Sequence, residues 1–522
     1  MSNRQNTLIR VPAPWQYVIA VVGIGAWLTL NIWSLQRYPV PSCDEALYGA
    51  TAYNLLTTGS PRIPFYAVLE NVNLAIAFGR LFIAGQALFM MLFSPSLFTV
   101  RLFGLTGVIA LALATYALGS RLYDQRVGLW SALLVSTDWA VFQQGHSGRP
   151  DIWLAAGIMF ALYLAFGLAE KPAVWRALIA GFAIALLEDI HLNGMHFILA
   201  IGVLVVIRLG VQERRWGMVV LYGLGSLVGV AYVLGVHLLP DPATAIGEYQ
   251  TIVSSEGRAF WETGLASSLL SLMRWVGENF ITAQGGLAAV PALFYLPGIV
   301  MALSRRDDQR RSLLLFAFVL ISLFSYGVVN VIKPNYYALL WRPALTLLGT
   351  AGVFWLADRW KAPEHLPGRV QSHLGTGLVA LVLGVFVVGD VYLAYKFRSV
   401  DYAAYTAGLR DLIPEGSTVL ADEPLWYGLK GREMTGTTYL TWYQFVHGAS
   451  MDDMGMLREA FLSLGPEYVV LDEHASCASG PSAMHDFLAA TLPQACVEVG
   501  TVEGAWFEPG TVYRCDPPER FD

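Results

Sequence analysis

Residues Trp15–Leu35 read WQYVIAVVGIGAWLTLNIWSL, and after a short polar break Pro41–Tyr48 reads PSCDEALY. The first run carries no charge and, at about 1.5 Å rise per residue, is long enough to cross a bilayer. The acidic pair Asp44-Glu45 stands where the chain leaves that run. Carboxylates are costly in hydrocarbon, so the pair is not lipid-facing. A second helix is expected to start there, because Asp44 can cap a first turn and Ala46 to Leu56 are mostly good helix formers. Gly59 and Pro61 end it. Two carboxylates are thus fixed at a helix start on the water edge of a membrane, a place suited to acid/base or metal chemistry on a lipid-borne substrate.

Composition supports a polytopic membrane protein. The chain is 55% hydrophobic and 14% charged, where soluble domains carry about 25% charged residues. Mean hydropathy is +0.51. The first apolar run is too long for a signal h-region and lacks a small-residue cleavage site, so it is read as a retained span. No long basic tract suggests a nucleic-acid partner.

Further spans are expected at 97–120, 127–144, 152–169, 174–188, 194–208, 216–239, 286–303, 311–332, 335–357 and 373–395, about eleven in all with the first. Basic residues fall in alternate loops: Arg121 and Arg126; Lys171 and Arg176; Arg208, Arg214 and Arg215; Arg305, Arg306, Arg310 and Arg311; Arg359, Lys361 and Arg369. Such loops face the cytoplasm. The apolar segment Leu74–Phe93 is interrupted by Gly79, Arg80, Gly85 and Gln86. It is read as lying in the interface, which makes 37–96 one outer loop and collects the polar clusters on one face. Spanning would put Asp44 across the bilayer from the rest.

The charge and span pattern divides the chain into a transmembrane domain, 1–397, and a small α/β domain, 398–522, on the outer side. In the second, Val419-Leu420, Tyr468–Leu471, Val497–Val499 and Val512-Tyr513 read as strands and Met484–Leu492 as a helix. Its Cys477, Cys496 and Cys515 permit one disulfide and one leftover thiol, with the pairing open. The expected location is the cell membrane, with this domain extracytoplasmic.

Four clusters can carry chemistry. Asp44-Glu45 is the first, against the simpler reading of a helix cap. His146–Asp151 is the second: Gly148 and Pro150 make a tight turn, and Asp151 either caps the next helix or faces Asp44, with Arg149 fixing it or an anionic ligand. Glu188-Asp189-Ile190-His191 ends the fifth span, where Glu188 and His191 share a face if the helix continues. With Asp44 and Asp151 they are the candidate ligands for a divalent metal ion. The fourth is Lys333-Pro334-Asn335-Tyr336-Tyr337, either an interfacial anchor or a cationic site for a lipid phosphate. Arg342 in the following span supports the phosphate site, because a buried arginine needs an anionic partner. Asp138, inside the third span, is read as a packing or hydrogen-bonding residue. There is no Walker loop, no GxGxxG after a strand and no CxxC, which disfavours nucleotide hydrolysis and structural zinc.

In order, these motifs are one span, Asp-Glu followed by Tyr48, an interfacial helix, Arg149-Pro150-Asp151, Lys333-Pro334-Asn335-Tyr336 and a soluble tail. The pattern resembles the bacterial and archaeal relatives of protein O-mannosyltransferase and of lipid A aminoarabinose transferase, which are C-type glycosyltransferases. Asp44–Tyr53, DEALYGATAY, is similar to their first outer loop, and Arg101-Leu102 also fits; the resemblance covers roughly 15–357. It implies a polyprenyl-phosphate-sugar donor, inversion at the anomeric carbon, and a protein, lipid or glycan acceptor hydroxyl. Asp44 would be the general base, with Glu45 and Asp151 orienting the acceptor or binding a metal. The sequence departs from the relatives in two places. Glu70-Asn71-Val72-Asn73-Leu74 stands where Lys-Pro-Pro is usual, and His191-Leu192-Asn193-Gly194 replaces a Lys-Gly. Donor-phosphate binding is therefore expected to rest on Lys333, Arg149 or Arg258, with Tyr336, Tyr337 and Arg342. The alternative is a transporter or flippase of a lipid-linked saccharide.

Overall fold

The computed structural model describes residues 14–66, 78–243, 245–247, 264–282, 289–304, 310–330, 333–359, 368–450, 453–472 and 483–515. Helix occupies each of the eleven apolar segments. In chain order the first eleven helices are α1 (Pro14–Ser34), α2 (Cys43–Thr58), α3 (Arg80–Phe93), α4 (Leu97–Leu122), α5 (Gln125–Ser136), α6 (Trp139–Gly145), α7 (Asp151–Glu170), α8 (Val174–Ala185), α9 (Leu187–Ile190), α10 (Gly194–Val205) and α11 (Trp216–His237). Apolar helices follow at Ala289–Leu303, Arg310–Val329, Arg342–Arg359 and Gly368–Lys396. Among the described residues, six helical stretches are long and apolar enough to cross a membrane by length and composition alone.

Three of the expected spans are broken rather than continuous; in the tenth, a 3-10 helix over Asn335–Leu340 gives way at Trp341 to the helix Arg342–Arg359. The third divides at Thr137-Asp138, because Asp138 caps α6 through the Ala140 amide (2.9 Å). It also pairs with Arg342, whose Nη1 lies 2.9 Å from Asp138 Oδ2. The fifth divides into α8 and α9, and His191 beyond them is extended, so the helix does not continue to bring Glu188 and His191 onto one face.

The described residues of the loop 37–96 begin where α1 finishes. Helices α4 and α5–α6 run out and back between it and the turn 146–150, yet Arg149 of that turn touches Asp44. Helix α3 is only 14 residues long, and its first amide, on Arg80, is held by Asp189 Oδ1 at 2.9 Å. Glu170 pairs with Arg121 and Arg311, Glu213 with Arg208 and Arg215, and Arg215 donates to the Ala169 carbonyl at 3.2 Å, so these basic segments lie together.

The tail forms a five-stranded sheet in the order β2-β1-β3-β5-β4. The strands are β1 (Thr418–Ala421), β2 (Glu433–Gly436), β3 (Tyr468–Asp472), β4 (Cys496–Gly504) and β5 (Phe507–Cys515). β1 is parallel to both β2 and β3, while β5 is antiparallel to β3 and β4. All four expected strand segments fall within it. Cys496 and Cys515 are cross-strand partners joined by a disulfide. Cys43 is also disulfide-bonded, so the start of α2 takes part in the cysteine chemistry expected of the tail alone; Cys477 lies outside the described residues.

Candidate active site

The site is built at the start of α2. Ser42, not Asp44, is the N-cap: its side chain accepts from the Glu45 amide at 3.4 Å. That leaves both carboxylates of the pair free for other partners, and the two go opposite ways. Glu45 is 1% exposed and enters the protein. Its Oε1 and Oε2 each take a 2.8 Å hydrogen bond from Arg101, through Nε and Nη2. Oε1 also accepts from the Gly148 amide at 2.8 Å. Arg101, wholly buried on α4, donates its third contact to the Leu35 carbonyl (2.9 Å). Glu45 thus ties together the end of α1, the start of α2, α4 and the turn before α7.

Asp44 is 46% exposed and makes an ion pair with Arg149 Nη1. Arg149 is shared, because its Nε donates to Asp151 Oδ2 at 2.8 Å and its guanidinium lies 3.9 Å over the Tyr336 ring. Burial alone would weaken the charged form of Arg149. The charge of Asp151 and the neighbouring tyrosines outweigh burial and push its pKa up, so Arg149 remains a fixed cation. Asp151 is the first residue of α7, after an N-cap at Pro150 that makes no side-chain bond. It does not cap the helix; it faces Arg149, and its Oδ1 has no hydrogen-bond partner among the described residues. The arrangement is two carboxylates on one guanidinium with part of the set open, which is the sharper of the two sequence readings.

His191 and Tyr337 border this group. The Asn193 amide donates to His191 Nδ1 at 3.0 Å, leaving Nε2 facing the Tyr337 hydroxyl at 3.4 Å. Burial pushes the His191 pKa down to about 4; Arg149 acts in the same direction and Asp151 opposes. The imidazole is therefore neutral near pH 7.

Several expected site residues are elsewhere. Arg342 does not join the phosphate group: it is 1% exposed and its anionic partner is Asp138, with a further bond from Nη2 to the Asn279 carbonyl (3.1 Å). Lys333 reaches the hydroxyl of Ser271 at 3.3 Å, and partial burial lowers its pKa. Its turn is held by Trp275, which donates to the Pro334 carbonyl at 3.2 Å, and by Asn279, which donates to Asn335 Oδ1 at 3.0 Å. Arg258 and the stretch Glu70–Asn73 lie outside the described residues. The expected metal set is not assembled. Glu188 is influenced by His237 and Asp189, and Asp189 is itself committed to His237 at 2.7 Å. No three His, Cys, Asp or Glu side chains among the described residues gather closely enough to hold an ion.

With this geometry in hand, the comparisons with known proteins become specific. Residues 81–238 match the family model described as dolichyl-phosphate-mannose-protein mannosyltransferase. This segment contains Arg101, Arg149, Asp151 and His191. ArnT from Cupriavidus metallidurans, solved bound to undecaprenyl phosphate, is similar over 96% of this chain and 98% of its own, with TM-score 0.62 and 14% identity. The fold is that of the C-type membrane glycosyltransferases. The oligosaccharyltransferase of Archaeoglobus fulgidus, in complex with Zn and sulfate, aligns over 86% of this chain and 68% of its own, with TM-score 0.53 and 13% identity. No curated protein matches by sequence. Family match and C-type fold agree on a membrane glycosyltransferase, as the resemblance implied.

Proposed function

We propose that the protein transfers a sugar from a polyprenyl monophosphate to an acceptor hydroxyl of a protein, lipid or glycan at the outer face of the cell membrane. The observation that carries this reading is the half-exposed Asp44 on an arginine shared with Asp151. Asp44 takes the acceptor proton; the acceptor oxygen bonds to the anomeric carbon from the face opposite the phosphate. The bond from that carbon to the phosphate oxygen breaks, and its electron pair leaves with polyprenyl phosphate. The sugar is thereby inverted.

Arg149 offsets the charge that grows on the leaving phosphate, with Lys333 as a second cation from the turn that also carries Tyr336 and Tyr337. Asp151 keeps Arg149 in place, and Glu45 keeps the start of α2 in place. No step is routed through a metal ion. The ArnT fold, in a protein bound to undecaprenyl phosphate, supports the carrier class, and the mannosyltransferase match supports transfer to a hydroxyl. Glycan and glycolipid profiling of intact cells lacking the gene tests the reading. One glycoconjugate should disappear, return with the wild-type gene, and stay absent with Asp44→Asn. Full restoration by Asp44→Asn removes Asp44 as the base.

A further inference from the structure

The tail domain is clamped to the helix that carries Asp44. Its contact is a 3-10 turn, Glu423–Tyr427, lying against α2. Tyr427 is buried and its hydroxyl donates to the backbone carbonyl of Glu45 at 2.7 Å. The ring fits because residue 49, one helical turn further on, is glycine: a Cβ there would overlap the Tyr427 hydroxyl. Beside it the Trp426 ring meets Tyr53 of α2 edge-on at 5.6 Å and Phe65 at 6.0 Å.

The turn is rigid within the tail. Tyr402 donates to the Pro424 carbonyl at 2.6 Å and accepts from the Gly428 amide at 3.0 Å. Glu423 accepts from the Thr438 amide at 3.2 Å and from its hydroxyl. A second tether joins Lys430 to the Pro95 carbonyl, at the start of α4. From the membrane side, the first turn of α2 is held where Glu45 meets Arg101 and Gly148 and where Asp44 meets Arg149. Asp44, one residue earlier, is half-exposed, so small rotations of this turn translate directly into the position of its carboxylate. A hydrogen bond to the carbonyl of the next residue opposes that rotation.

We infer that Tyr427 is a positioning residue for the reaction: through the first turn of α2 the tail domain sets the geometry of Asp44 against Arg149. The inference rests on the reading of Asp44 as the base. It makes the tail part of the catalytic unit, although among the described residues no side chain of the tail is bonded to the Asp44–Arg149–Asp151 group.

The test uses full-length protein in lipid nanodiscs, with undecaprenyl-phosphate mannose as donor and a total membrane lipid extract as acceptor, comparing Tyr427→Phe with wild type. One net hydrogen bond is worth on the order of tenfold in an opening equilibrium, so amide exchange over residues 43–50 should quicken about tenfold. Misplacement of a catalytic group acts on the chemical step; kcat should fall at least tenfold, with the donor KM within about twofold of wild type. Gly49→Ala, which displaces the ring from the α2 side, should give the same pattern. Unchanged exchange over 43–50 overturns the clamp. Faster exchange with unchanged kcat, or a raised KM alone, overturns the positioning role. If wild type is inactive under these conditions, mannose is not the sugar it transfers or the extract lacks its acceptor. Exchange over 43–50 then decides the clamp by itself, faster in Tyr427→Phe upholding it and unchanged overturning it.

Discussion

Asp44 and Glu45 are adjacent in sequence and each meets an arginine, but the two arginine–carboxylate groups differ in one respect. In the Glu45–Arg101 group every strong contact is satisfied within the protein: Arg101 binds both carboxylate oxygens and a backbone carbonyl, and Gly148 supplies a further donor. In the Asp44–Arg149–Asp151 group, Asp44 is half-exposed and one oxygen of Asp151 has no hydrogen-bond partner among the described residues. Saturated charge pairs hold helices together, and unsaturated ones are available to a ligand. The Arg342–Asp138 pair inside the bundle resembles the first kind in that Arg342 meets both Asp138 oxygens and a backbone carbonyl, although its Nε has no partner among the described residues.

The comparison is broken most severely by the pair of neighbours itself. Asp44→Asn should lower transfer by about 10²–10⁴-fold with the melting temperature nearly unchanged, because a half-exposed carboxylate adds little to stability. Glu45→Gln should lower the melting temperature clearly and lower turnover per folded molecule less than Asp44→Asn does, since Glu45 acts on the reaction only by holding the start of α2. Leaving Arg101 buried without its partner typically costs about 3–5 kcal/mol. Thermal unfolding in detergent and turnover per folded molecule separate the two. Glu45→Gln with normal stability would remove the distinction between the groups.

Much of this site was legible in the sequence. Hydropathy located the apolar helices, because burial in lipid imposes long runs that no other environment does. The turn His146–Asp151 was placed opposite Asp44 by loop parity, and the structure brings Arg149 to Asp44. What sequence did not show are pairings set by the packing of distant helices. Arg101 and Glu45 are 56 positions apart, Arg342 and Asp138 are 204 apart, and Tyr427 and Glu45 are 382 apart. One signal was available: an acid in the third span and an arginine in the tenth are each costly in lipid and together neutralise one another. Ser42 likewise preceded Asp44 as a cap, which frees Asp44 for chemistry.

A smaller effect sharpens the same contrast inside the bundle. Replacing Arg342 by Met together with Asp138→Asn, which keeps a capping oxygen for α6, should change stability by less than the loss of either partner alone, since apolar replacement of a buried pair is often neutral. Arg342→Met alone should be clearly destabilising. Equal losses in the single and double variants, measured by thermal unfolding, would show that the pair is not a closed unit.

The smallest expected effect lies in the tail. Burial, and then the neighbouring Asp422, push the Glu423 pKa up to about 7 from its ordinary 4.5. As pH rises the unfolded chain releases this proton before the folded one does. Stability is therefore lost between about pH 4.5 and 7 and stays lower above that window. Glu423→Gln, which keeps an acceptor for Thr438, should flatten the decline in melting temperature from pH 5 to 8. A wild-type decline that persists unchanged in Glu423→Gln would assign it to other groups.

The distinction between open and closed arginines is tested most directly by the affinity for undecaprenyl phosphate, measured by titration of the full-length protein in nanodiscs. A charge-assisted contact to phosphate contributes about 1.5–3 kcal/mol. Arg149→Gln should therefore raise the dissociation constant at least tenfold, and Arg149→Lys should recover part of the loss, because a point charge replaces the fork. The Arg342→Met, Asp138→Asn double variant should bind within about twofold of wild type. Unchanged affinity in Arg149→Gln, with a tenfold loss in the Arg342 variant, would contradict the account and move the phosphate site into the bundle.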